Sequence, residues 1–331
     1  MTDIKASTGS PFARIYGIGA YVPSRVVDNA EMCTYIDSSD EWIQQRTGIA
    51  ERRWIGEGET VEQMAVDAAK QAIEQAGIKP EQVDAVICST VSHFLQTPSL
   101  ATSVATKIGA NGAAAFDISA ACAGFCYGIA QGEALVRAGS AHYVVAIGVE
   151  ALSLITDIHD RSTAFLFADG AGAAVIGPSD TTGISPVVWG SDGSQAEVIT
   201  MTRDWPQAVE EGKPSQVYME GAAVFRWATG FIADASKRVL DEAGLAPEEL
   251  DVFVPHQANN RITDSMLRHL KLPKHIKVAR TIKTHGNNSA ASIPTAIVGM
   301  YESGEAKSGD LALIIGFGAG LVYAGQIIRL P

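Results

Sequence analysis

The sequence predicts an internally duplicated α/β protein that folds as a layered α/β/α/β/α sandwich. Residues 68–87 match residues 235–254 nearly position for position, and each segment has the pattern of an amphipathic helix, a turn and an apolar strand. At nearly the same offset, VVAIG at 144–148 pairs with ALIIG at 312–316. Because two matches share one offset, we expect a repeated α/β unit of about half the chain, with buried sheets flanked by helices.

Turn residues mark the ends of these repeated elements. The helix of each repeat ends at a glycine, Gly77 or Gly244, and the turn that follows contains Pro80 or Pro247. The apolar run at 311–328 has the length of a membrane span, but four glycines and a glutamine interrupt it. This pattern favours two buried strands joined at a glycine turn.

Length and composition indicate a large buried core shared by two halves. The chain has 331 residues, of which 47% are hydrophobic and 19% charged. We expect an N-terminal half at 14–178, which carries the nucleophile discussed below, and a C-terminal half at 179–331. Residues 1–13 contain no apolar signal core and are predicted to be a disordered lead-in.

Charge and cysteine content exclude several classes of protein. A net charge of −12 argues against a general nucleic-acid binder, because phosphate binding depends on an excess of lysine and arginine. The four cysteines have neither the spacing of a zinc site nor the density of a disulfide scaffold. We therefore expect no metal, no membrane partner and a reducing cytoplasmic location.

Three segments carry polar residues where the pattern calls for apolar ones. Cys122 lies in SAACAG, where a strand gives way to a helix; His256 follows an apolar strand; and Asn287 lies in a glycine- and asparagine-rich loop. A lone cysteine is more often an inert core residue, but a thiol at a helix N-terminus gains thiolate character. Shifting 119–124 by about the repeat distance gives 288–293, so the loops that hold Cys122 and Asn287 are expected to be counterparts that meet near a pseudo-twofold axis.

The motifs around these residues resemble those of the thiolase-like condensing enzymes, specifically 3-oxoacyl-[acyl-carrier-protein] synthase III. The resemblance runs from about Arg14 to the C-terminus. It rests on six motifs in family order: SDEWIQQRTGI (39–49), SAACAGF (119–125), FADGAGAAVI (167–176), PHQANNRI (255–262), HGNNSAAS (285–292) and GFGAGL (316–321). It implies a homodimer with the thiolase-like fold.

The resemblance also implies an activity. Such an enzyme condenses a cysteine-bound acyl primer, taken from acyl-CoA, with malonyl-acyl carrier protein, loses carbon dioxide and gives the 3-oxoacyl-carrier protein that initiates fatty acid synthesis. Acyl-CoA is a substrate, and no cofactor is implied. Cys122, His256 and Asn287 match the catalytic set, and the backbone N–H groups of Cys122 and Ala319 match the oxyanion hole. Ala319 departs from the family glycine, but alanine keeps the N–H donor where its φ and ψ are allowed.

Further residues match the family's binding sites. The matches to coenzyme A contacts are Trp42, Arg46, Thr47, Arg161 and Asn259. The matches to the carrier-protein docking face are Arg226, Arg261, Arg268 and Lys271. Thr97 stands where acetyl-selective relatives carry a phenylalanine before a proline, which predicts a roomier acyl pocket and four- to five-carbon or branched primers.

Two other functions remain open. Relatives that transfer an acyl group to a different acceptor, or that make polyketides in specialised metabolism, share the same catalytic set. A more distant alternative is a papain-like cysteine hydrolase, in which Cys, His and Asn occur in the same chain order. The local sequence AACAGF lacks a CGSCW-type signature, and a half-chain duplication has no place in that fold.

Overall fold

Two five-stranded sheets organise the computed structural model, which describes residues 4–331. The strands are β1 (Phe12–Tyr21), β2 (Arg25–Asp28), β3 (Glu51–Trp54), β4 (Val83–Ser89), β5 (Ala114–Ile118), β6 (Tyr143–Ala151), β7 (Asp169–Ser179), β8 (Val188–Gly190), β9 (Ile199–Met201), β10 (Val217–Met219), β11 (Val252–Pro255), β12 (Lys277–Val278), β13 (Leu311–Gly318) and β14 (Val322–Arg329). The helices are α1 (Asn29–Tyr35), α2 (Asp40–Thr47), α3 (Val61–Ala76), α4 (Leu100–Ile108), α5 (Gly124–Ala138), α6 (Trp205–Glu211), α7 (Gly221–Trp227), α8 (Ala233–Ala243), α9 (Asn260–Leu270), α10 (Ile282–His285) and α11 (Ser292–Glu302).

The two sheets have the same topology. The first has the strand order β1-β7-β6-β4-β5, and the second has the order β8-β14-β13-β11-β12. In both, the first two pairings are antiparallel and the last two are parallel. The strands β4 and β6 therefore correspond to β11 and β13, as the repeated sequence segments predict. The internal duplication is confirmed.

Helices and sheets alternate in five layers. The helices α3 and α4 share an apolar cluster with the outer face of the first sheet, and α8 and α9 do so with the second sheet. The helices α5 and α11 lie between the sheets, in a cluster that draws residues from both. Each sheet is thus covered on both faces, which explains why its strands are continuously apolar rather than alternating.

The C-terminal apolar run folds as predicted, into two strands. The strands β13 and β14 pair antiparallel from Leu311↔Arg329 to Gly318↔Val322, and the tight connection between them contains Gly320, with a φ of +74°. Both strands are buried in the second sheet. Within residues 4–331, no helix combines the length and the apolar composition needed to cross a bilayer.

The N-terminal segment joins the fold earlier than its composition suggests. The strand β1 begins at Phe12, inside the predicted lead-in, and Ser10 is already tied to the body of the protein through Ser10 N–H to Val136 O (3.3 Å). Residues 1–3 of that lead-in lie outside the described residues. The strand β7 of the first sheet ends at Ser179, beside the predicted boundary between the halves at 178/179.

Candidate active site

Cys122 lies in a sharp turn between a strand and a helix of the first half. The strand β5 ends at Ile118, a single 3₁₀ turn covers Ala121–Ala123, and α5 begins at Gly124. Ala121 has a φ of +43°, a conformation that costs energy for a residue with a Cβ and that is concentrated at functional turns. The turn places Cys122 at the start of α5, in the position that the sequence predicts.

A matching turn in the second half carries Ser289. A 3₁₀ turn at Ser289–Ala291 precedes α11, and Ser289 has a φ of +49°, close to that of Ala121. The two turns pack against each other between the sheets. The predicted relation between the loops of Cys122 and Asn287 is confirmed.

Each turn rests on the central strand of the opposite half. A Cβ at Gly316, in β13, would lie 2.7 Å from Ala123 Cα and 2.8 Å from Cys122 O. At the equivalent place in β6, a Cβ at Gly148 would collide with the backbone of Ala290. These two glycines allow the backbones to approach closely, and this approach brings the Cys122 turn against β13 and the Ser289 turn against β6.

His256 follows the end of β11 and is 2% exposed. Its Nδ1 lies 2.7 Å from Ser292 Oγ, which also accepts a hydrogen bond from Gln257 N–H (3.4 Å). The Ser292 hydroxyl can therefore donate to Nδ1, which favours the tautomer with its proton on Nε2. Burial lowers the pKa of His256 to about 3, so the imidazole is neutral at physiological pH.

Asn287 is fixed through its backbone to the segment that precedes β7. Its N–H donates to Leu166 O (2.9 Å), and its carbonyl accepts from Ala168 N–H (2.9 Å). The side-chain Oδ1 accepts from Ser289 N–H (2.9 Å). With Oδ1 used in this way, the amide group Nδ2 is the end that can donate to a substrate.

The thiol of Cys122 differs from the sequence-based expectation. We expected thiolate character at a helix N-terminus, but burial raises the pKa of Cys122 to about 12. The negative charge of Glu150 contributes to this rise, and the hydroxyl of Ser289 opposes it. Desolvation outweighs the helix terminus, so the resting residue is a neutral thiol. Its proton must leave as the sulfur reacts.

One cavity connects the predicted catalytic residues. It has a volume of about 570 Å³, and its wall includes Cys122, His256, Asn287 and Ala319. The φ of Ala319 is not positive, so an alanine is accommodated at this position without backbone strain. Apolar side chains form most of the remaining wall, among them Leu152, Ile155, Phe165, Val217, Met219, Val224, Phe225 and Phe317. The site therefore suits an apolar chain that ends at Cys122.

Four of the five predicted coenzyme A contacts line this cavity, and the fifth, Arg161, lies beside one of them. Ser39 caps the N-terminus of α2 by accepting from Trp42 N–H (3.2 Å), and Gly48 ends the helix with a φ of +81°. The guanidinium carbon of Arg161 lies 4.7 Å from the centroid of the Trp42 ring, and that of Arg46 lies 5.4 Å from it. Arg161 itself does not line the cavity, whereas Trp42 and Arg46 do.

Two other predicted contacts already serve the fold. Asn259 caps α9 by accepting from Arg261 N–H (2.8 Å) and donates to Arg46 O (3.0 Å), which joins α9 to α2. The hydroxyl of Thr47 donates to Ile43 O (2.7 Å). Both residues line the cavity. Their primary observed role is to hold the wall in place.

The four predicted docking residues divide into two pairs. Arg226, in α7, and Arg261, in α9, line the cavity, and the Arg261 guanidinium stacks on Phe225 at 5.0 Å. Arg268 and Lys271 are exposed but lie outside the cavity wall. Within residues 4–331, none of the four forms a salt bridge.

Thr97 is not part of this cavity in the single chain. It is exposed, in a loop whose Phe94 and Leu95 side chains are 61% and 58% exposed. From that loop only Val91 reaches the cavity wall. The predicted role of Thr97 in the acyl pocket therefore depends on a second copy of the chain.

Sequence reasoning missed Glu150 and Ser289. Glu150 is completely buried in β6, and Ser289 Oγ–H donates to its Oε1 (3.3 Å). The available signal was a single acidic residue in the otherwise apolar strand VVAIGVEA.

Among the described residues, no group of three or more histidine, cysteine, aspartate or glutamate side chains is placed to hold a metal ion.

Comparison with known families accounts for this arrangement. A family model described as 3-oxoacyl-[acyl-carrier-protein (ACP)] synthase III matches residues 116–193, and the model of its C-terminal part matches residues 240–330. The beta-ketoacyl-[acyl-carrier-protein] synthase III of Streptomyces glaucescens is 54% identical over 333 residues, which cover 100% of both chains. The chain belongs to the synthase III family. The resemblance seen in the sequence motifs is confirmed.

Solved structures of synthase III relatives share the fold. The priming beta-ketosynthase from the R1128 polyketide biosynthetic pathway is 43% identical, with a TM-score of 0.97 over 100% of this chain and 99% of that one. The 3-oxoacyl-[acyl-carrier-protein] synthase III from Aquifex aeolicus VF5 is 38% identical, with a TM-score of 0.89 over 96% of this chain and 99% of that one. The fold of this synthase III family member is the thiolase-like α/β sandwich.

Proposed function

We propose that the chain catalyses the decarboxylative Claisen condensation of a Cys122-bound acyl primer with malonyl-acyl carrier protein. The product is a 3-oxoacyl-carrier protein, and the reaction initiates fatty acid synthesis. The observation that supports this proposal is the convergence of Cys122, a neutral His256 and Asn287 on one largely apolar cavity. A nucleophile and two hydrogen-bond donors in the wall of an apolar cavity fit thioester chemistry.

The first half-reaction transfers the primer to Cys122. The sulfur attacks the carbonyl carbon of the acyl-CoA thioester, and the oxygen becomes an anion that the backbone N–H groups of Cys122 and Ala319 stabilise. Collapse of this intermediate breaks the bond to the coenzyme A sulfur and leaves the acyl group on Cys122. The covalent intermediate divides one difficult condensation into two easier steps.

The second half-reaction uses His256 and Asn287. Their Nε2–H and Nδ2–H groups donate to the thioester oxygen of malonyl-carrier protein, so that loss of carbon dioxide leaves a stabilised enolate. The α-carbon then attacks the acyl group, and Cys122 departs. Because decarboxylation itself generates the carbanion, this step requires neither a carboxylate base nor a metal. A neutral His256 suits the role, since an imidazole with a pKa of about 3 donates a hydrogen bond without carrying a charge.

Coenzyme A is proposed to bind at the end of the cavity marked by Trp42. Arg161 and Arg46 already place guanidinium groups near the Trp42 ring. An adenine ring can stack on the same indole, with a cation close to the phosphates, while the pantetheine arm passes Thr47 and Asn259. Arg161 would have to move away from Trp42 to admit the adenine between them.

The carrier protein is proposed to dock on the basic residues around the cavity. Acyl carrier proteins are acidic, and the chain has a net charge of −12, so favourable contact requires a local positive surface. Arg226 and Arg261 supply this charge next to the cavity, and Arg268 and Lys271 extend it along and just beyond α9. The absence of salt bridges to these four residues within 4–331 leaves their charges available.

A homodimer is proposed to complete the acyl pocket. The strand β5 lies at the edge of the first sheet, and its Phe116 is exposed, as are Val91 and Phe94 in the loop that precedes α4. An uncovered apolar edge strand is suited to pairing with the same strand of a second copy. Pairing there would carry the loop of Thr97 towards the partner.

We also place the protein in the cytoplasm, where its four free cysteines would stay reduced.

A priming role in polyketide synthesis is the second candidate. The structure of the R1128 priming ketosynthase matches this chain with a TM-score of 0.97, against 0.89 for the Aquifex aeolicus relative. The condensation chemistry is the same in both proposals, and the primer and the carrier protein differ. A papain-like hydrolase is excluded by the family assignment.

Mass spectrometry of the intact protein tests the proposal. Exposure to a panel of acyl-CoAs is expected to add one acyl group, on Cys122, and malonyl-carrier protein is then expected to release carbon dioxide and remove that group. Acylation without carbon dioxide release would identify a simple acyltransferase. The absence of acylation by every member of the panel would contradict both half-reactions.

A further inference from the structure

Glu150 is a completely buried carboxylate that the reaction described above does not use. It accepts hydrogen bonds from Ser92 Oγ–H (2.6 Å), Thr90 Oγ1–H (3.3 Å), Val91 N–H (3.1 Å to Oε2) and Ser289 Oγ–H (3.3 Å). Within residues 4–331, no lysine, arginine or histidine side chain forms a salt bridge with it. An acid buried without a cation is costly to maintain, which makes it a candidate for a functional role.

The pseudo-twofold symmetry explains how Glu150 comes close to the nucleophile. Gly318 of β13 and Glu150 of β6 occupy equivalent positions in the two halves. Each lies six residues after the first residue of its matched segment, which is 312–316 in β13 and 144–148 in β6. Since each active-site turn rests on the opposite central strand, Gly318 meets Cys122 and Glu150 meets Ser289. The turn that carries Ser289 packs against the turn that carries Cys122, and the Ser289 hydroxyl lowers the pKa of the Cys122 thiol.

We propose that Glu150 is the proton acceptor that activates Cys122, and that it acts through the hydroxyl of Ser289. As the bond from Sγ to the thioester carbon forms, the thiol proton passes to Ser289 Oγ while the hydroxyl proton of Ser289 passes to Glu150 Oε1. When the bond to coenzyme A breaks, the proton returns along the same path to the departing sulfur. At the end of the step coenzyme A carries the thiol and Cys122 carries the acyl group. Glu150 and Ser289 have returned to their starting protonation states, so no other reactant is required.

The electrostatics of the resting site are consistent with this relay. Burial raises the pKa of Glu150 to about 7, against an ordinary value of 4.5, so a large fraction is ionised at neutral pH and can accept a proton. The thiol of Cys122, with a pKa of about 12, keeps its proton until the sulfur attacks. The negative charge of Glu150 raises the pKa of Cys122, and the groups that hydrogen-bond the carboxylate, from the loop at 90–92 and from Ser289, are neutral.

A purely electrostatic role for Glu150 predicts the opposite effect of mutation. The negative charge of Glu150 raises the pKa of Cys122, so its removal in Glu150→Gln would make the thiol easier to ionise and more reactive. A relay predicts that the same variant is slower, because the proton acceptor is lost. The direction of the change therefore separates the two explanations.

The experiment measures Cys122 reactivity from pH 5 to 9 in the full chain. Peptide mass spectrometry follows alkylation of Cys122 by iodoacetamide, which needs no acyl-CoA, and a parallel series follows acylation by acetyl-CoA. In the wild type we expect both rates to rise with pH through a midpoint near 7, as Glu150 ionises. In Glu150→Gln we expect a fall of about 100-fold at pH 7.5 and loss of that midpoint.

Two further variants keep the result interpretable. Ser289→Ala retains Glu150 but interrupts the path, and it should lose the same midpoint; if it keeps the wild-type profile, the relay is wrong even if Glu150→Gln does not fold. Asp169→Asn is the matched control, because Asp169 is a buried carboxylate in β7 that hydrogen-bonds Ser153 rather than the Cys122 turn. Its alkylation profile should match the wild type.

The outcome distinguishes this inference from the function on which it rests. An alkylation rate in Glu150→Gln equal to or above that of the wild type would overturn the relay and leave the condensation reaction intact. Normal pH-dependent alkylation of wild-type Cys122 with no acylation by any acyl-CoA would overturn the proposed function and leave the relay supported.

Discussion

Gly318 lies directly against Cys122, with no space for a side chain between them. A Cβ at position 318 would lie 2.9 Å from both the backbone nitrogen and the Cβ of Cys122, and 3.0 Å from its sulfur. The φ of Gly318 is −177°, which any residue can adopt, so close approach rather than backbone conformation requires the glycine. The backbone of β13 thereby fixes the position of the nucleophile and of the adjacent Ala319 N–H.

Gly318→Ala is expected to displace Cys122 while the protein remains folded. A shift of about 1 Å at a reacting atom costs on the order of 100-fold in rate, so acylation by acyl-CoA should fall by about that factor. Rapid-quench mass spectrometry measures the acylation rate, and circular dichroism monitors the fold. Gly230→Ala is the control, because a Cβ there meets nothing within 4 Å. Wild-type acylation in Gly318→Ala would show that the turn can yield without loss of geometry.

Replacement of the catalytic residues should separate the two half-reactions. Cys122→Ala is expected to abolish acylation and condensation together, because only the sulfur forms a covalent bond to the primer. His256→Ala and Asn287→Ala should still be acylated but should lose condensation, because their donors act on the enolate. Acyl-enzyme mass and carbon dioxide release report the two steps. Condensation at the wild-type rate in Asn287→Ala would contradict the role proposed for that amide.

Burial of His256 should make stability depend on pH. Its pKa is about 3 in the folded protein, whereas the ordinary value of 6.5 applies to the unfolded chain. Between pH 6.5 and pH 3 the unfolded state therefore binds more protons, and the stability of the fold decreases as the pH falls. At pH 5 the loss relative to pH 7 is about 2 kcal/mol. His256→Gln should lack this contribution.

Urea unfolding at pH 7 and pH 5 measures the difference between wild type and variant. The exposed His275 provides a control, since His275→Gln removes an imidazole from the surface rather than from the core. If the stability of His256→Gln changed with pH as much as that of the wild type, the buried imidazole would not be neutral as described.

Charge reversal at Arg261 should affect the carrier-protein step alone. Arg261→Glu is expected to lower kcat/KM for malonyl-carrier protein by roughly 10-fold, equivalent to about 1.4 kcal/mol, and to weaken its salt dependence. Acylation by acyl-CoA should be spared. Lys70→Glu makes the same charge change on the exposed side of α3, which covers the outer face of the other sheet. Equal losses in both half-reactions of Arg261→Glu would argue against docking at this surface.

Thr97 should influence primer size if a second copy of the chain places it at the cavity. Each additional buried methylene is favourable by about 0.8 kcal/mol, so four- to five-carbon or branched acyl-CoAs should prime at least as well as acetyl-CoA. Thr97→Phe is expected to shift selectivity towards acetyl-CoA by about 10-fold per methylene excluded. Competition between acyl-CoAs measures the shift. An unchanged primer profile would show that Thr97 does not line the pocket, or that Phe94 or Leu95 fills the space.

The sequence was sufficient for the architecture and for most of the residues that line the candidate active site. Local repetition of helix, glycine, proline and strand predicts the duplication, because each of these signals depends on neighbouring residues. The same repetition relates the loops of Cys122 and Asn287, and the two 3₁₀ turns at 121–123 and 289–291 confirm it. The motif residues Trp42, His256 and Ala319 also lie around the cavity as predicted.

Tertiary structure alone decided the electrostatics of the site and the partners of the nucleophile. The helix N-terminus predicts an acidic thiol, yet Cys122 has a pKa of about 12, because desolvation depends on how many atoms from distant segments surround the sulfur. In the sequence, Glu150 is a single acidic residue in an apolar strand. Only the fold brings it into contact with Ser289, which lies 139 residues away along the chain. Thr97 lies outside the cavity of the single chain, which its sequence position does not indicate. Burial and contact between segments far apart in sequence are properties of the packed molecule, and a local pattern does not encode them.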